Sequence, residues 1–287
     1  MEPQGYDEAL GLVSTARGRA SRALDRAERA AASAARHEHL AASDPDPDCR
    51  KFHTHVAQTH RRSAACHRSF AVLHAAFADR TSAWVRGKGS RPRFMTGVAE
   101  ALGTASAAIT LVDSAQNQLA VAVSDEPALS AQDLEFVLGE GPSRDAAYER
   151  RPVHSAGAQI ERRWPGYGPV FTSMGFTSVL AVPLETQAGC FGSLAVFDPR
   201  AGLLRSTDLA EVTAALTRIV LLGPDADPEL YGGTDHRDVV QQAAGVLSVR
   251  IGCGIADALA LIKARAFADE TTTAAIARRI LNGDPYP

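Results

Sequence analysis

The chain has 287 residues, too many for one ordinary core, and at roughly 150 residues per domain the length predicts about two domains. Apolar residues make up 45% and charged residues 22%, which excludes global disorder. The net charge of −3 leaves no segment with the strong basic excess that phosphate-backbone binding usually needs: residues 234–287 hold six basic against six acidic side chains.

No stretch approaches the ~18 to 20 apolar residues that cross a bilayer. The opening Met1-Glu2-Pro3-Gln4-Gly5 has neither the basic nor the apolar part of a signal peptide. Cys49, Cys66, Cys190 and Cys253 are far apart, with no C-x-x-C pair to hold zinc or staple a fold. A soluble cytoplasmic protein with no membrane partner is expected.

The first block, residues 1–80, is rich in Ala, Arg and His. Alanines at 9, 16, 23 and 30, with Val13 and the alanines at 20, 27, 34 and 41, form two heptad columns offset by four, one apolar seam on a helix. Asp44-Pro45-Asp46-Pro47-Asp48 stops that helix, because each proline removes a donor and disfavours helical angles before it. A second arm repeats His53, His60, His67 and His74 every seven residues, beside Ala57, Ala64, Ala71 and Ala78 and a third column of Val56, Ser63, Phe70 and Phe77. The reading is a coiled-coil-like helical hairpin with arms of roughly 45–50 Å, too narrow to bury much alone. The histidine column is a structural or solvated stripe, with a pH-responsive interface or a metal site as alternatives. Seven-residue spacing leaves ~10.5 Å between successive imidazoles along one helix, unlike the usual spacing of ligands.

After the connector Arg86–Pro92, a short amphipathic helix is predicted over Arg93–Leu102, then strands over Ser106–Asp113 and Gln118–Ser124. Ser130 ahead of Asp133 and Glu135 predicts a helix start. Thr177–Leu184 and Cys190–Phe197 form a second strand pair. Ser206 or Thr207 opens a helix through Leu222, with Leu209, Val212, Leu216, Ile219 and Val220 on its inner face. Paired strands flanked by helices without strict alternation predict an α+β domain around an antiparallel sheet.

Leu138-Gly139-Glu140-Gly141-Pro142-Ser143-Arg144-Asp145-Ala146, Pro152-Val153, Arg163-Trp164-Pro165, Gly175–Leu184 and Gly192-Ser193-Leu194 resemble, in order, the middle and central hairpin of a GAF sensor domain over residues 92–222. The resemblance implies a regulatory fold with a small molecule held between the sheet and its covering loops. No cofactor is named by the residues.

The third block, residues 234–283, follows a Gly223–Pro228 linker. Thr234 or Asp235 caps a helix through Arg250 with Val239, Val240, Ala243, Val246 and Leu247 on one face. Gly252 and Gly254 break it in left-handed angles. A second helix, Ile255–Ala268, buries Ala258, Leu259, Leu261, Ile262 and Ala266, and a third, Thr272–Leu281, buries Ala275, Ile276 and Ile280. Gln241-Gln242-Ala243-Ala244-Gly245-Val246-Leu247, Gly254–Leu259, Lys263–Ala268 and Ala274–Ala277 resemble an ANTAR domain, a three-helix RNA-binding antitermination module. GAF followed by ANTAR is a pairing of actinobacterial regulators. The resemblance implies a homodimer that holds a hairpin in nascent RNA. Ala244 stands where many such domains carry a lysine, and Thr271–Thr273 departs from the usual mixture.

The RNA-binding candidates are Lys263, Arg265, Arg278 and Arg279 on one face, with Phe267 for base stacking. The bland reading makes them solvated charges or a protein interface. DNA binding as a helix-turn-helix lacks a recognition helix rich in Arg, Asn and Gln.

An enzyme is not expected. Ser143, Ser178 and Ser193 have no G-x-S-x-G elbow around them, His154 is the lone histidine of residues 81–233, and no phosphate loop or H-E-x-x-H appears. Cys190 reads as a strand residue, with redox sensing as the alternative. The leading reading is a signal-responsive regulator that binds structured RNA. Its rival is a dimerisation module whose ANTAR-like helices have lost RNA.

Overall fold

The computed structural model describes residues 3–87, 92–113, 116–187, 189–220, 234–269 and 271–284. The Gly223–Pro228 linker lies outside them. The chain divides into two compact units, Met1–Leu102 with Gly202–Asp227, and Gly103–Ala201 with Pro228–Pro287. The three sequence blocks therefore do not coincide with these two units. The helices at either end of the second block group with the hairpin, and the third block groups with the sheet.

In the first unit, α1 (Pro3–Ser43) and α2 (Pro47–Val85) pack as the expected hairpin. Their 41 and 39 residues make arms of about 60 Å at 1.5 Å per residue, longer than the heptad count predicted. The turn is made by Asp46, whose carboxylate accepts from the Asp48 N–H at 2.9 Å ahead of Pro47. A side-chain cap followed by proline in the first turn is a strong helix start. Ala9, Val13, Ala16, Ala20, Ala23, Ala27 and Ala34 are buried against Ala57, Ala64, Ala71 and Ala78, while Ala30 and Ala41 are half-buried. The second arm does not end near residue 80. It runs on to Val85 and packs against α3 (Phe94–Ala101) and α8 (Thr207–Ala215). Ser206 caps α8 by accepting from Leu209 N–H at 3.2 Å, and a π-helical turn over Leu216–Val220 follows.

The histidines do not behave as one stripe. His74 is buried, with its ring 4.2 Å from Phe70 and 5.0 Å from Phe94. His37 of the first arm reaches His53 and His60 of the second, its Nδ1 3.0 Å from His53 Nδ1 and its ring 5.9 Å from that of His60.

In the second unit the described residues form one five-stranded antiparallel sheet, order β2-β1-β5-β4-β3. The strands are β1 (Ser106–Val112), β2 (Gln118–Val123), β3 (Val153–Ala156), β4 (Ser178–Thr186) and β5 (Gly189–Phe197). Both predicted hairpins are present; the edge strand β3 is additional. Helices α4 (Glu126–Leu138), α5 (Pro142–Glu149), α6 (Ala158–Arg163) and α7 (Tyr167–Ser173) cover one face. Their core is largely aromatic: Tyr167, Phe171, Phe176 and Phe197 follow one another at ring separations of 4.9–5.1 Å. α4 begins a turn before the predicted Ser130. Asp125 accepts from Ala128 N–H at 2.8 Å with Pro127 in the first turn, and a carboxylate at the positive end of the helix makes the better cap.

The third block forms α9 (Thr234–Ile251), α10 (Ile255–Ala268) and α11 (Thr273–Leu281). α9 packs on β2, and α10 meets α4. Val240, Ala243, Ala244, Leu247, Ala258, Ile262, Ala266, Ile276, Ala277 and Ile280 share one core with Phe136 of α4. Gly252 ends α9 at φ +69°, an angle that costs little without a Cβ. Gly254 is instead at φ −66° as the N-cap of α10, so one left-handed residue suffices. Val246 and Leu261, expected inside, are exposed, and Ala275 is half-buried. The core-facing stripe is narrower than the apolar pattern because α9 and α10 also carry apolar residues outward. Among the described residues no single helix is long and apolar enough to cross a membrane; α9 and α10 together are, but their axes turn by 109° between them.

Candidate nucleic-acid interface and adjoining cleft

α10 and α11 position the five residues singled out for RNA contact, and they fall into two groups. Arg265 Nε lies 2.8 Å from Asp269 Oδ2, and Arg279 Nη1 approaches the same oxygen at 3.5 Å. Asp269 thus draws together two guanidinium groups from different helices. Arg279 Nε also lies 3.5 Å from Asp284. Phe267, on the same helix, is 67% exposed, a large ring kept in solvent, but its position two residues from Arg265 turns it to another side of α10. Arg278 is exposed on α11.

These ion pairs are at the surface, where a pair contributes about 0–1 kcal/mol, so exchanging Asp269 for an incoming phosphate costs little. A further arginine that sequence reasoning passed over, Arg250, donates to the Asp284 and Ile280 carbonyls at 3.1 and 3.5 Å. It thereby satisfies the end of α11.

Lys263 stands apart from this group. Its Nζ lies 3.9 Å from the centroid of the Phe136 ring, within the range of an ammonium on an aromatic face. There it lines a cleft between β1, the β1–β2 connection, α4 and the helices α9 and α10. The wall includes Thr110, Gln116, Gln118, Glu135, Arg144, Gln241 and Leu259. The cavity measures about 50 Å³, room for about four water-sized groups and far below the ~300–1,000 Å³ of a metabolite pocket. Gln116 holds a left-handed φ of +65°, an uncommon conformation for a residue with a side chain. The buried Oε1 atoms of Gln116 and Gln118 have no hydrogen-bond partner in the structure.

Behind the cleft lies a buried polar network that the sequence did not reveal. Thr110 Oγ1 donates to Gln132 Oε1, and Gln132 Nε2 reaches Ser143 Oγ at 3.0 Å and Glu135 Oε2 at 3.3 Å. Glu135 Oε1 accepts from Arg144 N–H at 2.5 Å. Burial pushes the Glu135 carboxyl up to about 7, although hydrogen bonds from Arg144 and Ser143 oppose the rise. Gly141 is required here, since a Cβ at that position would come within 2.7 Å of the Glu135 side chain. That is the physical content of the Gly139-Glu140-Gly141-Pro142 motif, together with Glu140 Oε1, which accepts from the N–H groups of Gly166 and Tyr167 at 2.6 and 2.7 Å. The hydroxyls of Tyr167 and Ser193 are buried with no hydrogen-bond partner in the structure. The Tyr167 phenol is held well above its ordinary range by burial and by Glu135.

Ala244 is fully buried in the core that joins α9 to Phe136. A lysine there would bury its charge. Cys190 is half-buried, its Sγ 3.2 Å from the Gly192 carbonyl oxygen, and burial raises its thiol, which disfavours the reactive thiolate.

Comparison with known proteins gives one family match: residues 92–221 fit the model of the GAF domain. That part of the chain is a GAF domain, a regulatory unit that senses a small molecule or a partner. Neither the search of curated proteins nor that of solved structures returns a match.

Proposed function

We propose that the chain is a signal-responsive transcription regulator of the cytoplasm. Its GAF domain senses a small molecule or partner, and its α9–α11 module, which resembles an ANTAR domain, binds structured nascent RNA as a homodimer to promote antitermination. The observation that carries this reading is the convergence of Arg265 and Arg279 on Asp269 at the surface, with the exposed ring of Phe267 elsewhere on α10. Folded RNA loops are recognised by that combination, unstacked bases laid on aromatic rings and phosphates held by guanidinium groups. Arg278 adds a cation on α11. Signal reaches RNA if the effector binds one arrangement of the module better than another, since differential affinity is what moves an equilibrium.

A second reading is a dimerisation module without RNA. Val249 is 87% exposed, and Ile251 and Ile255 nearby are exposed as well, an apolar group that favours a protein partner. The two readings separate by binding of the full chain to a structured RNA and to a DNA duplex of equal length across a salt series. RNA preference that weakens in an Arg265→Ala/Arg279→Ala variant supports the first, and no binding to either polymer at low salt supports the second.

A further inference from the structure

We propose that the cleft between the GAF sheet and α10 is a site for a small oxyanion, a carboxylate or a phosphate, held jointly by Arg144 and Lys263. Size is the first argument. About 50 Å³ accepts four or five heavy atoms and excludes a nucleotide or a tetrapyrrole. Charge is the second. Arg144 and Lys263 enter the wall from different elements, α5 and α10, and Arg144 makes no ion pair among the described residues. The fork of a guanidinium matches the two oxygens of a carboxylate or phosphate.

Hydrogen-bonding capacity is the third argument. Gln116 and Gln118 of this wall carry buried Oε1 acceptors without partners, and an oxyanion protonated at one oxygen, a bicarbonate or a hydrogen phosphate, brings the donor that such an acceptor lacks. Thr110 and Glu135 join this wall to the buried network, where the hydroxyls of Ser193 and Tyr167 stand unpartnered. Ser193 lies directly across from Thr110 in the β1–β5 register. Neither the Ser193 nor the Tyr167 hydroxyl lines the cleft, so the oxygens of the anion are met by Arg144 and Lys263, whose N–H groups only donate. Among the described residues of the wall the carboxylate of Glu135 is the one acidic group, and it is directed into bonds from Arg144 N–H and Gln132.

A bound anion would tie Lys263 of α10 to Arg144 of α5, so occupancy stabilises the docked position of the C-terminal helices. The binding site stands independently of the RNA reading. Its consequence rests on that reading: an occupied cleft fixes α10, which carries Arg265, and the factor by which the anion changes RNA affinity is the factor by which RNA, by linkage, changes anion affinity.

The test is melting of the full chain with acetate, bicarbonate or phosphate at constant ionic strength, with chloride as control. Saturation by one oxyanion at about a hundredfold excess over its Kd is expected to raise Tm by about 5–10 °C. Arg144→Gln and Lys263→Gln should each weaken binding at least tenfold, with each shift read against that variant's own anion-free melting, which Lys263→Gln lowers by leaving the Phe136 ring. Acetate and bicarbonate acting alone would assign a carboxylate, and phosphate acting alone a phosphoryl group. A shift equal to that in chloride, or one unchanged in the double variant, overturns the proposal. Saturable anion binding in a chain that binds no RNA leaves the site standing and removes the RNA reading.

Discussion

Glu135 provides a sharp test of the buried network because its charge is opposed by its surroundings. Desolvation raises its carboxyl from 4.5 to about 7. At about 1.4 kcal/mol per pH unit of displacement, this amounts to about 3 kcal/mol. The folded state binds this proton more tightly than the unfolded chain. The stability it confers is therefore complete below pH 4.5 and lost as pH rises through 7. Glu135→Gln removes the ionisation and keeps the acceptor for Arg144 N–H. It also turns an amide N–H₂ toward Gln132 Nε2, forfeiting a hydrogen bond worth about 1 kcal/mol. The variant should be about 1 kcal/mol less stable than the parent at pH 4 and about 2 kcal/mol more stable at pH 8. Urea unfolding at both pH values measures the difference through the midpoint and slope. A difference that stays constant between pH 4 and pH 8 refutes the assignment of a displaced ionisation to Glu135.

Other consequences are equally concrete. Phe267→Ala should leave melting unchanged, because the ring is solvent-exposed, and weaken RNA binding by about 1–3 kcal/mol; filter binding reads this. Arg278→Ala and Arg279→Ala should each lower the salt slope of RNA binding by about one if each meets a phosphate. In the hairpin, desolvation and then His53, His60 and Arg36 lower the His37 ionisation. Its neutral form is thus favoured by folding, and the stability is lost as pH falls below 6.5. Hydrogen exchange along residues 37–60 should accelerate between pH 7 and 5 after correction for intrinsic rates, and His37→Gln should flatten that change. Deleting residues 1–80 removes the rings of His74 and Phe77 from Phe94, so α3 and α8 should lose their fold, seen as lost circular dichroism beyond the deleted helices.

Local pattern made much of this architecture legible. Heptad alanines gave the seam of the hairpin, alternating apolar runs gave both strand pairs, and the bounds of α10 were read to the residue. Asp125 was missed as a cap because Ser130 offered the same chemistry one turn later, and only the Pro127 constraint distinguishes them. The short helices α5–α7 and edge strand β3 have too few residues for a period to register.

The site was less legible than the fold. Spacing does not put the five RNA candidates on one face, since Arg265 is two residues from both Lys263 and Phe267 on α10; Lys263 is drawn onto Phe136, more than a hundred residues earlier in the chain, and no helical period encodes that contact. The same holds for Glu135, an ordinary first-half helix acid in sequence that packing buries under Gly141.

The central claim is that α9–α11 grip folded RNA through Arg265, Arg279 and Phe267. The most direct measurement is equilibrium binding of the full chain to a two-loop RNA hairpin and to a DNA duplex of equal length, titrated across salt. The account predicts tighter binding to RNA, with affinity falling steeply as salt rises and collapsing in the Arg265→Ala/Phe267→Ala/Arg279→Ala variant. Equal affinity for RNA and DNA, or RNA affinity untouched by those three substitutions, would contradict it.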